Sequence, residues 1–221
     1  MLNWHAIDTV LLDMDGTLLD LHFDNHFWLE HLPKNYGKHH NLSPEHAKIE
    51  LFQLYHKVKG TLDWYCVDYW TQTLGLDVAA LKAEVGHLIT VHPHVLDFLQ
   101  LVGNIGKKRI LVSNAHQKSI ALKMSKTSLA LHLERIISAH DIGLPKEHPE
   151  FWSQLQTIEA FDPKRTLFID DTPNVLESAR AYGISWLVAI TCPDSKKAEN
   201  TIIDFLSIRD FSELMPTANN N

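Results

Sequence analysis

Five short apolar runs, none of them alternating apolar with polar residues, restrict the fold of this 221-residue chain more than any other feature. They are Val10-Leu11-Leu12, Arg109-Ile110-Leu111-Val112, Ile136-Ile137, Thr166-Leu167-Phe168-Ile169 and Trp186-Leu187-Val188-Ala189-Ile190. Strands apolar at nearly every position are covered on both faces, as in a parallel sheet layered between helices. The stretches joining the last four are helical: about His116 to Leu131, a helix beginning at Pro149, and Pro173 to Tyr182 stopped by Gly183. Strand-helix repetition of this kind predicts an α/β fold with a Rossmann-like parallel sheet and right-handed crossovers.

The interval between the first two runs is different. Its last part, Pro93 to Val102, carries a helical apolar pattern (Val95, Leu96, Phe98, Leu99, Leu101, Val102), with Gly103 as the expected stop. The remainder is too long for a connection between parallel strands and reads as helices throughout. Ser43-Pro44 pairs an N-cap with proline at the first helical position, Thr61 and Asp77 can cap two further helices, and Gly60 and Gly75 separate them. Residues 21–92 are therefore expected to form an all-helical cap inserted into a core built from residues 1–20 and 93–221. After Thr191 there is one amphipathic stretch (Ile202, Ile203, Phe205, Leu206) and a polar tail whose Asn219-Asn220-Asn221 end is expected to fray.

Composition narrows the function classes. The longest apolar runs are a few residues, and the N-terminus lacks the basic, apolar and small-residue pattern of a signal peptide, so a cytoplasmic protein with no membrane partner is expected. A net charge of −7 argues against a nucleic-acid partner, while leaving room for a small phosphate ester in a local pocket. Cys66 and Cys192 have no CxxC spacing and are expected to be buried thiols. The 15 histidines form no HExxH and no sequence cluster with cysteines, so they are read as solvated imidazoles rather than zinc ligands.

Sheets of this kind bind ligands at the carboxyl ends of their strands. Asp13 and Asp15 follow the first run, Ser113 and Asn114 the second, Asp170 and Asp171 the fourth, and Lys146 lies several residues after the third. Four converging carboxylates repel one another unless a divalent cation and a lysine share the site, and a hard oxygen donor set favours Mg²⁺. A phosphoryl group then fits, screened by Mg²⁺ and Lys146 and hydrogen-bonded by Ser113 and by backbone amides after Asp13.

Asp13-Met14-Asp15-Gly16-Thr17 resembles the first motif of the haloacid dehalogenase-like (HAD) hydrolase superfamily, Ser113-Asn114 its second, Lys146 in Leu144-Pro145-Lys146 its third and Asp170-Asp171 its fourth. The resemblance implies that Asp13 attacks phosphorus to give an aspartyl-phosphate. It implies that Asp15 protonates the leaving oxygen and then activates water. It gives Mg²⁺ to Asp13, Asp171 and the backbone carbonyl of Asp15, with Asp170 ligating directly or through water. Ser113, its neighbour Asn114 and Lys146 are assigned to the phosphoryl group, Lys146 also steadying Asp13. The acid at Asp15 argues against dehalogenation, since a departing halide needs no proton. Phosphonate cleavage would need a Schiff-base lysine from the cap; Lys48, Lys57, Lys59 and Lys82 lie there, but nothing in the sequence points to that chemistry.

Three further segments, Phe23-Asp24-Asn25-His26-Phe27-Trp28, Thr61 to Trp70 and Ser113-Asn114-Ala115-His116, are similar to the bacterial 5'-nucleotidases of this superfamily that act on GMP and IMP. Hydrolysis of a purine 5'-nucleotide is the function this implies. A phosphatase or phosphomutase for a sugar phosphate and an inactive phosphometabolite-binding protein are the alternatives. On a helix from Thr61, the residues Leu62, Tyr65, Cys66, Tyr69, Trp70 and Thr73 share one face, expected to be the cap's own core. Trp64 and Asp68 share another. They are either a surface Trp and a solvated Asp or, facing the site, a stacking platform for a purine and an acceptor for its N1–H or exocyclic amine. Asp20 and Asp24 are read as hinge or capping residues, Asp141 as a turn residue and His116 as the start of a helix.

Overall fold

A computed structural model describes residues 2–216. The strands are β1 (Thr9–Leu12), β2 (Lys108–Ser113), β3 (Arg135–Ser138), β4 (Thr166–Asp170), β5 (Trp186–Ile190) and β6 (Leu206–Ile208). They form one wholly parallel sheet in the order β3-β2-β1-β4-β5-β6. Successive residues of each strand serve opposite layers. Val10, Leu12, Leu111, Leu167 and Ile169 pack with helix Val95–Asn104, whereas Leu11, Ile110, Val112 and Phe168 pack with helices Phe151–Ile158 and Pro173–Tyr182. Burial on both faces is why the strands show no alternation. The strand order reverses between β1 and β4, so the crevice for a ligand opens at their carboxyl ends.

Residues 22–88 are helical and carry an apolar cluster of their own, centred on Phe23, Phe27, Leu51, Tyr55, Trp70 and Val78. The two chain segments leading into and out of this region run side by side: Leu19 and Val91 form an antiparallel bridge, and Asp20 N–H donates to the Thr90 carbonyl. The first helical stretch includes a π turn at Phe27–His31, where Leu32 N–H reaches back to the Phe27 carbonyl. Pro33 explains the wide turn, because its ring crowds the carbonyl four residues earlier and it has no N–H to donate.

Five expectations are corrected. Gly103 does not stop its helix, which continues to Asn104; a Cβ there would lie 2.2 Å from the Arg109 guanidinium, so the glycine makes room for that side chain. The amphipathic stretch near Phe205 is not helical, and Leu206–Ile208 adds a sixth strand at the sheet edge. The helix after Thr61 breaks at Cys66 into Leu62–Tyr65 and Val67–Leu74, so the two faces drawn across it do not exist as continuous stripes. Thr61 itself donates its hydroxyl back to the Val58 carbonyl (2.7 Å) rather than capping the helix, whereas Ser43 and Asp77 do cap theirs. Cys66 and Cys192 are half-buried rather than buried. The Asn219-Asn220-Asn221 end lies outside the described residues. Among the described residues no helix is long and apolar enough to cross a membrane.

Candidate active site

The end of β1 delivers Asp13, and Asp13 N–H still pairs with the Ile169 carbonyl, so its carboxylate stands beside the end of β4. There Asp13, Asp170 and Asp171 each bring a carboxylate oxygen within 4.8 Å of the others. The buried Lys146 ammonium donates to Asp13 Oδ1 and to Asp170 Oδ2 (2.7 Å). Burial raises the Asp13 pKa to about 6, with Lys146 opposing and Asp170 reinforcing the shift. For Asp171, burial and the two neighbouring carboxylates push the pKa well above the usual range. The Lys146 pKa is raised because its two carboxylates outweigh burial. Three carboxylates facing one ammonium leave negative charge unmatched, and their hard oxygen set suits a small divalent cation.

Gly16 shapes the same point. It sits at φ +82°, and a Cβ there would fall 2.5 Å from Asp171 Oδ2. Gly16→Ala should therefore both strain the backbone and displace Asp171. Stability should fall by about 1–2 kcal/mol, and turnover by about 100-fold, measured by thermal unfolding alongside phosphate release.

The other expected residues are arranged as follows. Ser113 is buried and its Oγ accepts the Ala115 amide. Asn114 has both ends of its side chain engaged, accepting Lys146 N–H (2.8 Å) and donating to Glu147 Oε2 (2.9 Å). Its side chain therefore holds the Lys146 loop in place, which leaves only its backbone amide for the phosphoryl group. Tyr65 donates to the other Glu147 oxygen from the helical region. Asp15 stands apart from the carboxylate cluster and accepts from the buried Lys123 ammonium.

Lys123 also donates to Asp24 Oδ2 (2.6 Å), and Asp24 Oδ1 accepts from buried Lys82 (2.9 Å). Two carboxylates thus alternate with two ammoniums. Burial and then Asp24 raise the Asp15 pKa to about 6, against the pull of Lys123. Burial alone would raise Asp24 as well, but Lys123 and Lys82 overcome it and bring its pKa down to about 2. Asp24 is thus a network residue, not a hinge or a cap. Asp20 is not the N-cap of helix His22–His26, which is Leu21, but accepts the His22 and Ser195 amides, and Asp141 closes a capping box with Ser138. His116 is the N-cap of helix Gln117–Lys126. The sequence reading missed Lys123, although it follows Ile120 by three residues on the buried stripe of that helix.

Asp15 opens onto a cavity of about 480 Å³, within the range of small-molecule sites. Its walls include Trp28, Phe52, Tyr55, Trp64 and Trp70, with Asn25, His56, Lys59 and Lys82 as polar groups. Trp64 belongs to this wall, its ring edge-on to Tyr55 at 5.7 Å. Asp68 does not. It is 55% exposed and paired with Lys118, because the break at Cys66 turns the following helix away from the line of Trp64. The pairing of Trp64 with Asp68 as base contacts is corrected on that ground.

The haloacid dehalogenase-like hydrolase family model matches residues 7–183. GMP/IMP nucleotidase YrfG of Escherichia coli (strain K12) is 41% identical over 214 residues, spanning 97% of this chain and 96% of that protein. Pyrophosphatase PpaX of Oceanobacillus iheyensis is 23% identical over 218 residues, spanning 95% and 96%. Among solved structures, a HAD phosphatase from Thermococcus onnurineus aligns with TM-score 0.76 at 19% identity, covering 94% of this chain and 96% of that one. CbbY from Rhodobacter sphaeroides, solved in complex with phosphate, aligns with TM-score 0.64 at 14% identity. The parallel sheet, the four motifs at its carboxyl edge and these matches together place the chain in the haloacid dehalogenase-like hydrolase family.

Proposed function

We propose that the protein is a Mg²⁺-dependent phosphomonoesterase that hydrolyses the 5'-phosphate of GMP or IMP through an aspartyl-phosphate on Asp13. The observation that carries this reading is the position of Asp15, which lines the aromatic cavity two residues after the lysine-held Asp13. An acid there faces the leaving group while the nucleophile faces phosphorus. A nucleoside suits a cavity of this size and lining, and the donors Asn25, His56 and Lys59 suit the O6 and N7 acceptors of a 6-oxopurine. The 41% identical nucleotidase supports the same substrate class.

In this mechanism an Asp13 oxygen attacks phosphorus as the bond to the nucleoside 5'-oxygen breaks, and Asp15 delivers its proton to that oxygen. Asp15 then takes a proton from water, which attacks phosphorus and frees phosphate and Asp13. Lys146 and Ser113 stabilise the phosphoryl oxygens, and Asn114 keeps Lys146 in register. Asp13, Asp170 and Asp171, with the backbone carbonyl of Asp15, would hold Mg²⁺, which when bound supplies charge neutralisation. Residues 21–92 act as the cap that encloses the leaving group.

Trp64→Ala tests the cavity as a nucleoside site. Loss of about 1–3 kcal/mol of stacking should raise KM for GMP by about 5–150-fold, with KM for ribose 5-phosphate nearly unchanged. An equal effect on both esters would remove Trp64 from base binding.

A further inference from the structure

Cys66, His116 and His140 lie far apart in sequence, yet each brings one donor atom within 4.8 Å of the others. Cys66 sits at the break between helices Leu62–Tyr65 and Val67–Leu74, on the helical region outside the sheet. His116 caps the helix that follows β2, and His140 lies in the short helix Ala139–Ile142 after β3. The two imidazoles meet edge to face, with ring centroids 5.0 Å apart. His140 Nε2 is buried and has no hydrogen-bond partner among the described residues. A buried nitrogen left unpaired is costly, and a cation beside it would remove that cost.

We propose that Cys66, His116 and His140 form a second metal site, specific for a borderline-soft cation of the zinc class and chemically distinct from the aspartate cluster. One thiolate and two imidazoles are typical zinc donors and poor magnesium ligands, whereas the all-carboxylate cluster has the opposite preference. Zinc–ligand bonds of about 2.0–2.3 Å require the three donors to draw closer than they stand, a movement within the reach of side-chain rotation. Uptake displaces the thiol proton; the Lys118 amide donates to His116 Nδ1 over a long 3.3 Å, a bond at a helix end that water can replace. Asp68 Oδ2, 3.8 Å from His116 Nε2, stands near enough to orient that ring.

The consequence is mechanical. A cation held here ties the helical region, through Cys66, to the two sheet loops that carry His116 and His140. His116 lies two residues after Asn114, which positions Lys146. Zinc would therefore clasp the cap against the core at the edge of the active site and slow its opening; this part rests on the cap reading above.

The test uses Co²⁺ and Zn²⁺ as probes on the full chain, in wild type, Cys66→Ser and His140→Gln. Wild-type protein should show a thiolate-to-cobalt charge-transfer band that zinc abolishes. Zinc should also protect Cys66 from alkylation while Cys192 stays reactive. Both signals should be lost in Cys66→Ser, and zinc affinity should fall tenfold or more in His140→Gln. Both variants should keep phosphate release in Mg²⁺ within twofold, and zinc should inhibit wild type but not Cys66→Ser. A cobalt band that survives in Cys66→Ser, or zinc bound equally by all three proteins, would overturn the site. Binding as expected without zinc inhibition of phosphate release would keep the site and reject the clasp. These spectroscopic and alkylation signals do not depend on what the enzyme hydrolyses.

Discussion

Asp13→Asn should reduce phosphate release by about 10⁴-fold or more while leaving the protein folded and able to bind its ester. The amide cannot form the bond to phosphorus that the proposed mechanism gives to the carboxylate, and that step would have no substitute nucleophile at the same position. Folding should survive because Lys146 keeps its partner Asp170 at 2.7 Å, and because the amide oxygen of the variant can still accept from Lys146. Single-turnover kinetics and ligand-binding calorimetry on the variant separate the two effects. A phosphometabolite-binding protein without catalysis would release no phosphate in wild type either, and the substitution would then change nothing.

Lys123→Met should be the most destabilising single change outside the sheet core. The lysine is 1% exposed and is shared by Asp15 and Asp24, so its removal leaves Asp15 without a cation in a buried setting. Breaking a buried ion network in this way costs about 3–5 kcal/mol, which for a chain of this size lowers Tm by about 6–20 °C. The double variant Lys123→Met/Asp15→Asn should recover part of the loss, since the stranded charge is gone while Asp24 keeps Lys82. Additive losses in that cycle, measured by thermal or urea unfolding, would show that Lys123 and Asp15 do not act together.

What the sequence reveals and what it conceals divides along physical lines. The helix Pro173–Tyr182 is legible at both ends because proline at its first position and glycine after its last act locally. The strands are legible because both faces are buried, and the carboxylates of the candidate site because they follow or end those strands. The break at Cys66 has no proline or glycine to announce it, and it overturns the pairing of Trp64 with Asp68. β6 is three residues long with an exposed Leu206, too short and too polar in setting to be distinguished from a loop. Lys123 and Lys82 are lysines on buried helical stripes. Composition alone sends lysine to solvent, and only the paired Asp15 and Asp24 explain their burial. The meeting of Cys66 with His116 and His140 is a tertiary event that no sequence spacing announces.

The substrate assignment is tested most directly by kcat/KM for phosphate release in Mg²⁺, compared across GMP, IMP, AMP and ribose 5-phosphate. A cavity that stacks the base and donates to its O6 predicts GMP and IMP about tenfold or more above both AMP and ribose 5-phosphate. Ribose 5-phosphate turned over as well as GMP would contradict a nucleoside site in the aromatic cavity.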